Sequence, residues 1–356
     1  MPKKKGPLAR ISRWMSRRVW LLALPGLLTL GSAPPAAAGE ILTMIRSRDL
    51  LRCGVSEGIP GLSERNAAGL WQGFDVDFCR AVAAAVLGDP DKVAFVPLTA
   101  AMRFPALQGG KIDLLVRNTS WTFTREAVLG LQFPAVLYYD GQAFMVPAGS
   151  GITRVSDLNG ASVCVEKGTT HGRNLQEYAR AQALVMTPVI LDSARVVAEA
   201  FFAGRCQAYT SDASQLAAVR LRAPGGLQAY RILDERISKE PLAPVVWAGD
   251  LQWTMLVRWV LFGLVMAEEY GAGRDNVEEV MAGGQTPLSR LSSEERKLVA
   301  RNLGLTPGWV VRAIKAVGNY GEMFERNLGR DSPLGLERGL NRLWNQGGLM
   351  YPPPID

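Results

Sequence analysis

The sequence predicts an α/β fold built from two similar halves. Apolar, strand-like runs alternate with helical segments along most of the chain, as is typical of α/β proteins. The same order of strand, loop, helix, strand, glycine-ended helix, strand and polar loop occurs twice, with little residue identity between the halves. An extended segment (YYDGQAFMV) lies between them and a second, proline-punctuated one (ISKEPLAPVVW) follows, so we expect the chain to leave one lobe, build a second and return.

The predicted elements of the first half end in a polar loop. Residues 50–55 and 92–98 predict strands, residues 75–88 a helix that begins at an acidic turn, residues 101–110 a helix broken by glycine, and residues 111–116 a third strand. The loop that follows, RNTSWTFTRE, offers hydroxyls, an amide and backbone donors beside Arg125. Binding a small carboxylate requires such groups.

The second half repeats this order after a strand-like run at residues 140–146. Residues 156–170 predict a strand and then a loop, and residues 174–183 predict a helix. A strand at 187–191, a helix at 193–206 and a strand at 207–212 complete the half, which ends in the acidic Asp212.

The first 38 residues predict a secretory signal peptide. Basic side chains precede an apolar stretch at residues 19–31, and small residues follow up to Ala38, where cleavage is expected. The adjacent Arg17 and Arg18 also resemble a twin-arginine signal, so both export routes stay open.

Removal of this segment changes the charge of the chain. The whole sequence carries a net charge of +7, and the signal contains seven basic and no acidic residues, so the mature protein is about neutral. The basic isoelectric point therefore gives no reason to expect a nucleic-acid partner. About 318 residues remain, enough for two domains with cores of their own.

After the signal, residues 251–267 are the best candidate for a membrane span. They are fewer than the roughly 20 apolar residues that a spanning helix needs, and Arg258 lies near their middle. A buried helix is the better interpretation, so no span is expected in the mature chain.

The cysteines and the single histidine restrict the possible chemistry. An even number of cysteines in an exported chain predicts disulfides, for which three pairings are possible. With no CxxC motif and His171 as the only histidine, we expect no metal site. A Ser-His-Asp enzyme is disfavoured as well, because no GxSxG motif is present. The cysteines are Cys53, Cys79, Cys164 and Cys206.

Taken together, these segments resemble the periplasmic solute-binding proteins of ABC importers for polar amino acids, and more narrowly the general L-amino-acid-binding subgroup. The resemblance covers residues 40–355 and implies a two-lobed periplasmic binding protein fold of type II. In that fold the ligand cleft lies between lobes that two extended crossings join. The matching segments include LRCGV, GFDVDFCRAVAAAVLGD, KVAFVPL, RFPALQGGKID, RNTSWTFTRE, YYDGQAFMV, GASVCVEKGTT, YTSD, ISKEPLAP, GDLQW and SPLGLERGLNRLWNQGGLMY.

The resemblance also implies how the chain is divided. Lobe 1 is expected at residues 39–141 and again at 239–275, lobe 2 at 142–238, and a C-terminal extension packed on lobe 1 at 276–356. We then expect each disulfide to lie within one lobe, because a bridge between the lobes would lock the hinge. The expected pairs are Cys53 with Cys79 and Cys164 with Cys206.

Ligand roles follow for residues of both lobes. Arg125 corresponds to the arginine that pairs with the ligand α-carboxylate, for which a planar fork of donors suits better than a lysine. Asp212 corresponds to the acidic residue that takes the α-ammonium group. Small polar residues complete the expected site: Asn118 and Ser120 from lobe 1, and Thr169 and Thr170 from lobe 2.

Some of these residues also suit purely local roles. Asp212 is suited to cap the helix that follows it, and Thr169 and Thr170 to cap a helix beginning near Arg173. His171 matches no ligand residue of the family and is expected at the surface.

The chain departs from its relatives in ways that affect specificity. Ile59 and Ala100 occupy positions where relatives that select cationic side chains have aromatic residues, so a roomier and less selective pocket is expected. Ser120 replaces a threonine that is common in the subgroup and keeps the hydroxyl. Trp121 is suited to face either the ligand or the core, and the core is the commoner place for an aromatic side chain.

The implied function is the capture of polar L-amino acids in the periplasm and their delivery to the subunits of an ABC permease with its ATPase. We expect a monomer without a cofactor. The alternative is a lyase-like enzyme on the same two-lobed scaffold, which would need a general acid or base in the cleft. Glu57 and Glu166 are conceivable, but no pair suggests a substrate geometry. A chemoreceptor ectodomain is disfavoured because no second span is present.

Overall fold

Helices and strands alternate along the computed structural model, which describes residues 39–284, 286–291 and 293–355. The predicted signal peptide at residues 1–38 lies outside this part of the chain. The helices are α1 (Glu40–Arg48), α2 (Phe74–Leu87), α3 (Arg103–Gln108), α4 (Phe123–Ala127), α5 (His171–Ala181), α6 (Ala194–Phe202), α7 (Ala213–Arg220), α8 (Leu251–Glu269), α9 (Val277–Ala282), α10 (Pro287–Arg290), α11 (Ser293–Asn302), α12 (Trp309–Val317) and α13 (Tyr320–Asn327). The strands are β1 (Leu51–Val55), β2 (Glu64–Arg65), β3 (Trp71–Gln72), β4 (Val93–Pro97), β5 (Leu114–Leu115), β6 (Leu131–Gln132), β7 (Tyr138–Asp140), β8 (Gln142–Pro147), β9 (Ser162–Glu166), β10 (Thr187–Leu191), β11 (Ala208–Asp212), β12 (Tyr230–Ile232), β13 (Glu240–Leu242) and β14 (Val246–Trp247).

The first sheet consists of parallel strands in the order β4-β1-β5. Helix α2 packs against this sheet, and its apolar side chains are fully buried, among them Phe74, Phe78 and Val82. The helix ends at Gly88, which adopts a left-handed conformation with φ of 78° and donates its N–H to the Ala84 carbonyl. The short β5 brings the polar loop that follows it to the carboxyl edge of the sheet.

The second sheet has the strand order β10-β9-β11-β8-β12. Strands β10, β9 and β11 are parallel to one another, whereas β8 runs antiparallel to both β11 and β12. Apolar side chains of this sheet and of its helices are buried in two clusters. One cluster includes Phe144 and Val163, and the other includes Phe201 and Tyr209. Because β9 and β11 are parallel, their carboxyl ends lie at the same edge of the sheet.

Two extended segments connect the two sheets. β7 leads directly into β8, and β13 brings the chain back after β12. The two segments pair antiparallel, with Asp140 opposite Glu240 and Tyr139 opposite Pro241. This pair places the two crossings side by side.

Both predicted disulfides are present. Cys53 on β1 is bonded to Cys79 on α2, and Cys164 on β9 is bonded to Cys206, which precedes β11. The first bond joins the first sheet to its helix α2, and the second joins β9 to the segment that precedes β11 in the second sheet. Neither bond connects the two sheets.

Helix α8 is the one helix in the described part of the chain that is long and apolar enough to cross a membrane. Most of it is buried inside the protein, including Trp253, Leu256 and Val260. Arg258 donates from Nε to the Pro134 carbonyl at 2.7 Å. These contacts agree with its interpretation as a buried helix.

The segment after α8 packs against the helices of the first sheet. Helix α12 lies on α2 and α13 lies on α8 and α2. Arg326 and Asn327 both donate to the Asp77 carboxylate on α2, at 2.6 and 2.7 Å. Near the end of the chain, Asn341 donates to the Tyr139 carbonyl at 3.0 Å and accepts from its N–H at 2.7 Å. The C-terminal segment thus contacts one of the two crossings.

Candidate functional site

Charged and polar residues at the carboxyl ends of parallel strands meet between the two sheets. Arg117 and Asn118 follow β5, Glu166 ends β9 and Asp212 ends β11, and all four are buried. Ligand sites of parallel α/β sheets form at these strand ends, because the loops there leave the sheet edge open. The four residues come from both sheets, so the site lies between them.

Arg125 lies in the first turn of α4, which begins after Thr122. The Thr122 hydroxyl accepts the Arg125 N–H at 3.3 Å, and the Arg125 guanidinium lies over the Phe104 ring at 5.2 Å from its centre. Nη1 donates to the Ser120 carbonyl at 2.6 Å. Burial lowers the pKa of Arg125 to about 10, so the group stays charged at neutral pH and has further donors for an anion.

Asp212 accepts bonds from two side chains. Its Oδ1 lies 3.0 Å from His171 Nε2, and its Oδ2 accepts from Asn118 Nδ2 at 2.9 Å. Burial by itself raises the pKa of Asp212, but His171 and Asn118 outweigh burial and the pKa lies below its ordinary value. Asp212 occupies the N-cap position of α7 without a side-chain cap bond, so its carboxylate faces the cleft residues instead.

Asn118 links the two sheets directly. Its Nδ2 donates to Asp212 Oδ2 and to Gln215 Oε1, both at 2.9 Å. The backbone of Asn118 has a positive φ of 23°, a conformation that asparagine tolerates better than most residues. Backbone strain of this kind is concentrated at functional sites.

The prediction of a surface position for His171 is wrong. His171 is buried, because α5 begins at this residue rather than near Arg173, and its ring is directed toward Asp212 on β11. Burial by itself lowers the pKa of His171, but the adjacent Asp212 outweighs burial and raises it. Part of the Asp212 carboxylate is therefore already hydrogen-bonded before any ligand arrives.

The remaining predicted residues lie near Arg125 and Asp212. The Ser120 carbonyl accepts from Arg125, and the Thr170 hydroxyl donates to Glu240 Oε2 at 3.1 Å. The Thr169 hydroxyl donates to the Glu166 carbonyl at 2.7 Å and accepts the His171 N–H at 3.3 Å, so it also orders the start of α5.

Several residues of the cleft were not predicted as site residues. Glu240, in the second crossing, is buried and also accepts from Asn174 at 2.7 Å. Arg117 forms a buried ion pair with Glu166, N to O distance 3.0 Å. Arg103 donates to the Gly168 carbonyl at 3.3 Å, and burial lowers its pKa well below the ordinary value. Arg117 and Glu240 are charged residues beside a strand end and in a crossing, which is the signal that could have found them, whereas Arg103 begins α3 and has no such signal.

The site also contains buried polar atoms that have no hydrogen-bond partner within the described residues. Leaving such an atom unpaired costs roughly 1 to 3 kcal/mol, so native proteins rarely leave several together. Burial raises the pKa of one of these groups, Asp75, to about 7. We interpret the concentration of unpaired donors and acceptors as the place of a polar ligand. The atoms are Asp75 Oδ2, Arg103 Nε, Arg117 Nη1, Asn118 Oδ1, Glu166 Oε2 and His171 Nδ1.

A cavity of about 680 Å³ lies beside this cluster and is lined by residues of both halves. Ile59, Trp71 and Arg117 line it from the first half, and Phe202 and Arg222 from the second. Ala100 is buried and donates its N–H to Glu166 Oε1 at 3.3 Å. Trp121 is stacked on Phe133 in the core. Within the described residues, no group of three or more His, Cys, Asp or Glu side chains is arranged to hold a metal.

A polar cleft between two α/β lobes that two adjacent strands connect defines a binding protein of the periplasmic type II fold. The chain belongs to the bacterial extracellular solute-binding proteins, family 3, whose family model matches residues 51–324. The predicted family and fold class are therefore confirmed. The family name also places the protein outside the cytoplasm.

The chain is similar to several named members over nearly its whole length. It is 45% identical over 336 residues to the general L-amino acid-binding periplasmic protein AapJ of Rhizobium johnstonii, covering 94% of this chain and 98% of that protein. It is 48% identical over 321 residues to the glutamate/glutamine/aspartate/asparagine-binding protein BztA of Rhodobacter capsulatus, covering 90% and 94%. A solved periplasmic binding protein of an ABC transporter from Brucella ovis, with glutathione bound, matches with a TM-score of 0.85 at 46% identity, covering 88% and 99%.

These comparisons distinguish between the two predicted classes of protein, a solute-binding protein and a lyase-like enzyme. The family and its named relatives are solute-binding proteins, so the chain is a binding protein and the lyase-like alternative is not supported. Glu166, one candidate acid or base of that alternative, is held in the ion pair with Arg117.

Proposed function

We propose that the protein captures polar L-amino acids in its interlobe cleft and delivers them to an ABC permease for uptake. The observation that carries this proposal is the burial of a charged arginine, Arg125, in the same cleft as the ionised Asp212. An amino acid is a zwitterion whose two charges need one partner of each sign. The names of the relatives AapJ and BztA support an amino acid as the ligand.

In this proposal Arg125 binds the α-carboxylate and Asp212 binds the α-ammonium group. A guanidinium binds a carboxylate through two parallel hydrogen bonds, whereas the Asp212 oxygens keep acceptor capacity beside His171 and Asn118. The ligand-binding residues would also include Ser120, Thr169 and Thr170, through hydroxyls or backbone donors. Ligand binding then stabilises the closed arrangement, because each lobe supplies part of the site.

We propose the following division of the chain for this motion. Lobe 1 comprises residues 39–141 and 239–275, lobe 2 comprises residues 142–238, and the extension at 276–356 belongs with lobe 1. The placement of the two sheets, the pairing of β7 with β13 and the packing of α12 on α2 support this division.

The partners and the location follow from the same proposal. Residues 1–38 direct export to the periplasm and are removed, and the mature protein acts as a monomer. It meets the permease subunits through the lobe surfaces, because the cleft is occupied by the ligand.

We expect the protein to bind several polar L-amino acids with similar affinity. The α-amino and α-carboxyl groups supply the common part of the binding energy, while water fills unused volume around the side chain. The affinities should lie within roughly two decades, a spread of about 3 kcal/mol. D-enantiomers should bind much more weakly, because holding both charged groups redirects their side chain into the wall of the cleft.

Calorimetry of the mature protein against the twenty L-amino acids, after unfolding and refolding to remove bound ligand, measures this breadth. D-glutamine provides the matched control for L-glutamine. One L-amino acid that binds over about a thousandfold better than every other would contradict the expected breadth.

We also expect uptake to depend on an ABC permease. A strain that lacks its own amino-acid-binding proteins should take up labelled glutamine when it exports this protein, and should lose uptake when the cognate permease is deleted. The Arg125→Ala variant, exported at the same level, is the control and should not restore uptake. Uptake that survives deletion of every candidate permease would count against the proposed partner.

A further inference from the structure

Arg117 and Glu166 are two cleft residues that neither charged group of an amino acid requires. Arg117 follows β5 and Glu166 ends β9, so each lobe contributes one member of the pair. Arg117 Nη2 lies 3.0 Å from Glu166 Oε1, and the two side chains are only 2% and 1% exposed. The pair therefore forms part of the cleft wall where the lobes meet.

Each member of this ion pair keeps one polar atom without a partner. Arg117 Nε donates to the Leu98 carbonyl at 2.8 Å, and Glu166 Oε1 also accepts the Ala100 N–H at 3.3 Å. In contrast, Arg117 Nη1 and Glu166 Oε2 are buried, and no residue in the described ranges hydrogen-bonds to them. One atom is a donor and the other is an acceptor, and they flank the same ion pair.

We propose that Arg117 and Glu166 bind the end of the ligand side chain and favour an ω-carboxamide, as in glutamine and asparagine. A carboxamide has a carbonyl oxygen that accepts from Arg117 Nη1 and an NH₂ group that donates to Glu166 Oε2. Both unpaired atoms thus gain a partner from one planar group. This inference rests on the proposed function, because it requires the amino acid backbone to lie at Arg125 and Asp212.

Other side chains satisfy this pair less well. A side-chain carboxylate accepts from Arg117, but it has no donor for Glu166 and places two negative charges together. An aliphatic side chain forms a hydrogen bond with neither atom. Because a site built to hydrogen-bond an N–H group discriminates against analogues that lack it, glutamine should bind at least about tenfold more tightly than glutamate. This preference fits within the broad specificity expected for the cleft.

The Glu166→Gln variant tests the proposal with almost no change in size. The variant replaces the carboxylate by an amide that donates to a ligand carboxylate, so the ratio of the glutamine and glutamate affinities should fall at least about fivefold. Alanine affinity should change less than about threefold, because its side chain does not reach the pair. The matched control is Glu177→Gln, an exposed glutamate on α5, which should leave all three affinities unchanged.

Arg117→Lys provides a second variant in case Glu166→Gln does not fold. Lysine keeps a positive charge beside Glu166 but lacks the Nη1 donor, so the preference for glutamine over alanine should fall at least about fivefold. Thermal unfolding of each variant verifies that it is folded before titration.

Two outcomes would overturn this inference and leave the proposed function standing. One is a ratio of glutamine to glutamate affinity that Glu166→Gln leaves unchanged. The other is an equal loss of glutamine and alanine affinity, which would assign the pair only to contact between the lobes. If wild-type protein binds none of the three amino acids, the proposed function itself fails, and the inference with it.

Discussion

Replacement of Arg125 by alanine is expected to reduce amino-acid affinity by at least about a hundredfold, or about 3 kcal/mol. The guanidinium is buried and carries its charge at neutral pH, and its removal leaves the ligand carboxylate desolvated without a partner. Calorimetric titration with glutamine and alanine should show the same loss for both ligands, because the α-carboxylate is common to them.

Two further variants separate recognition from folding. Arg125→Lys keeps the charge but not the planar fork, so it should lose an intermediate amount of affinity. Arg330→Ala removes an exposed arginine whose ion pair is with Glu325 of the C-terminal segment, and it should bind as the wild type does. Because Arg125 also bonds to the Ser120 carbonyl, the unfolding temperature of each variant is measured alongside. Affinity of Arg125→Ala within twofold of the wild type would refute the assignment.

Removal of the Cys164–Cys206 disulfide is expected to lower the free energy of unfolding by about 4 kcal/mol, because the bond restricts the conformational freedom of the unfolded chain. The two cysteines are separated by 42 residues, and both are buried beside apolar side chains of the second sheet. Alanine at both positions avoids a buried hydroxyl group. Urea unfolding of the ligand-free double variant measures the loss.

The other disulfide supplies the comparison. Cys53 and Cys79 are 26 residues apart, and a shorter loop restricts the unfolded chain less, so their double alanine variant should lose slightly less stability. Peptide mapping of the wild type without reductant should recover both pairs. Double variants that are as stable as the wild type, or a peptide that joins Cys79 to Cys164, would contradict this expectation.

The α/β class and the two halves could be predicted because the patterns involved are local or repeated, whereas the disulfide pairing was predicted from the lobes that the family resemblance implies. Strands such as β1 and β11 are short apolar runs bounded by turns, and the repeated order of elements indicated two similar halves. The role of Asp212 was predicted from the family resemblance, in which an acidic residue at the end of the run YTSD takes the α-ammonium group.

The partners within the cleft could not be predicted, because they depend on how two distant segments meet. His171 is joined to Asp212 across 41 positions, and Arg117 to Glu166 across 49. His171 was expected at the surface because it matches no ligand residue of the family, and nothing in the sequence indicated that it is the first residue of α5. Periodicity fixes helix boundaries only loosely, since capping residues such as Thr169 decide them.

The side-chain amide of Asn341 forms two hydrogen bonds with the first crossing, at Tyr139. In β7, Tyr139 faces Pro241, which has no N–H to donate, and its own N–H and carbonyl are taken up by the Asn341 amide on the other edge. The Asn341 side chain thus supplies the two hydrogen bonds that a neighbouring strand would otherwise make with Tyr139. In the second crossing, the Pro241 carbonyl accepts the Trp121 N–H at 2.8 Å, so both crossings are held on their outer edges. We therefore expect rotation between the lobes to begin beyond this pair, at Gly141.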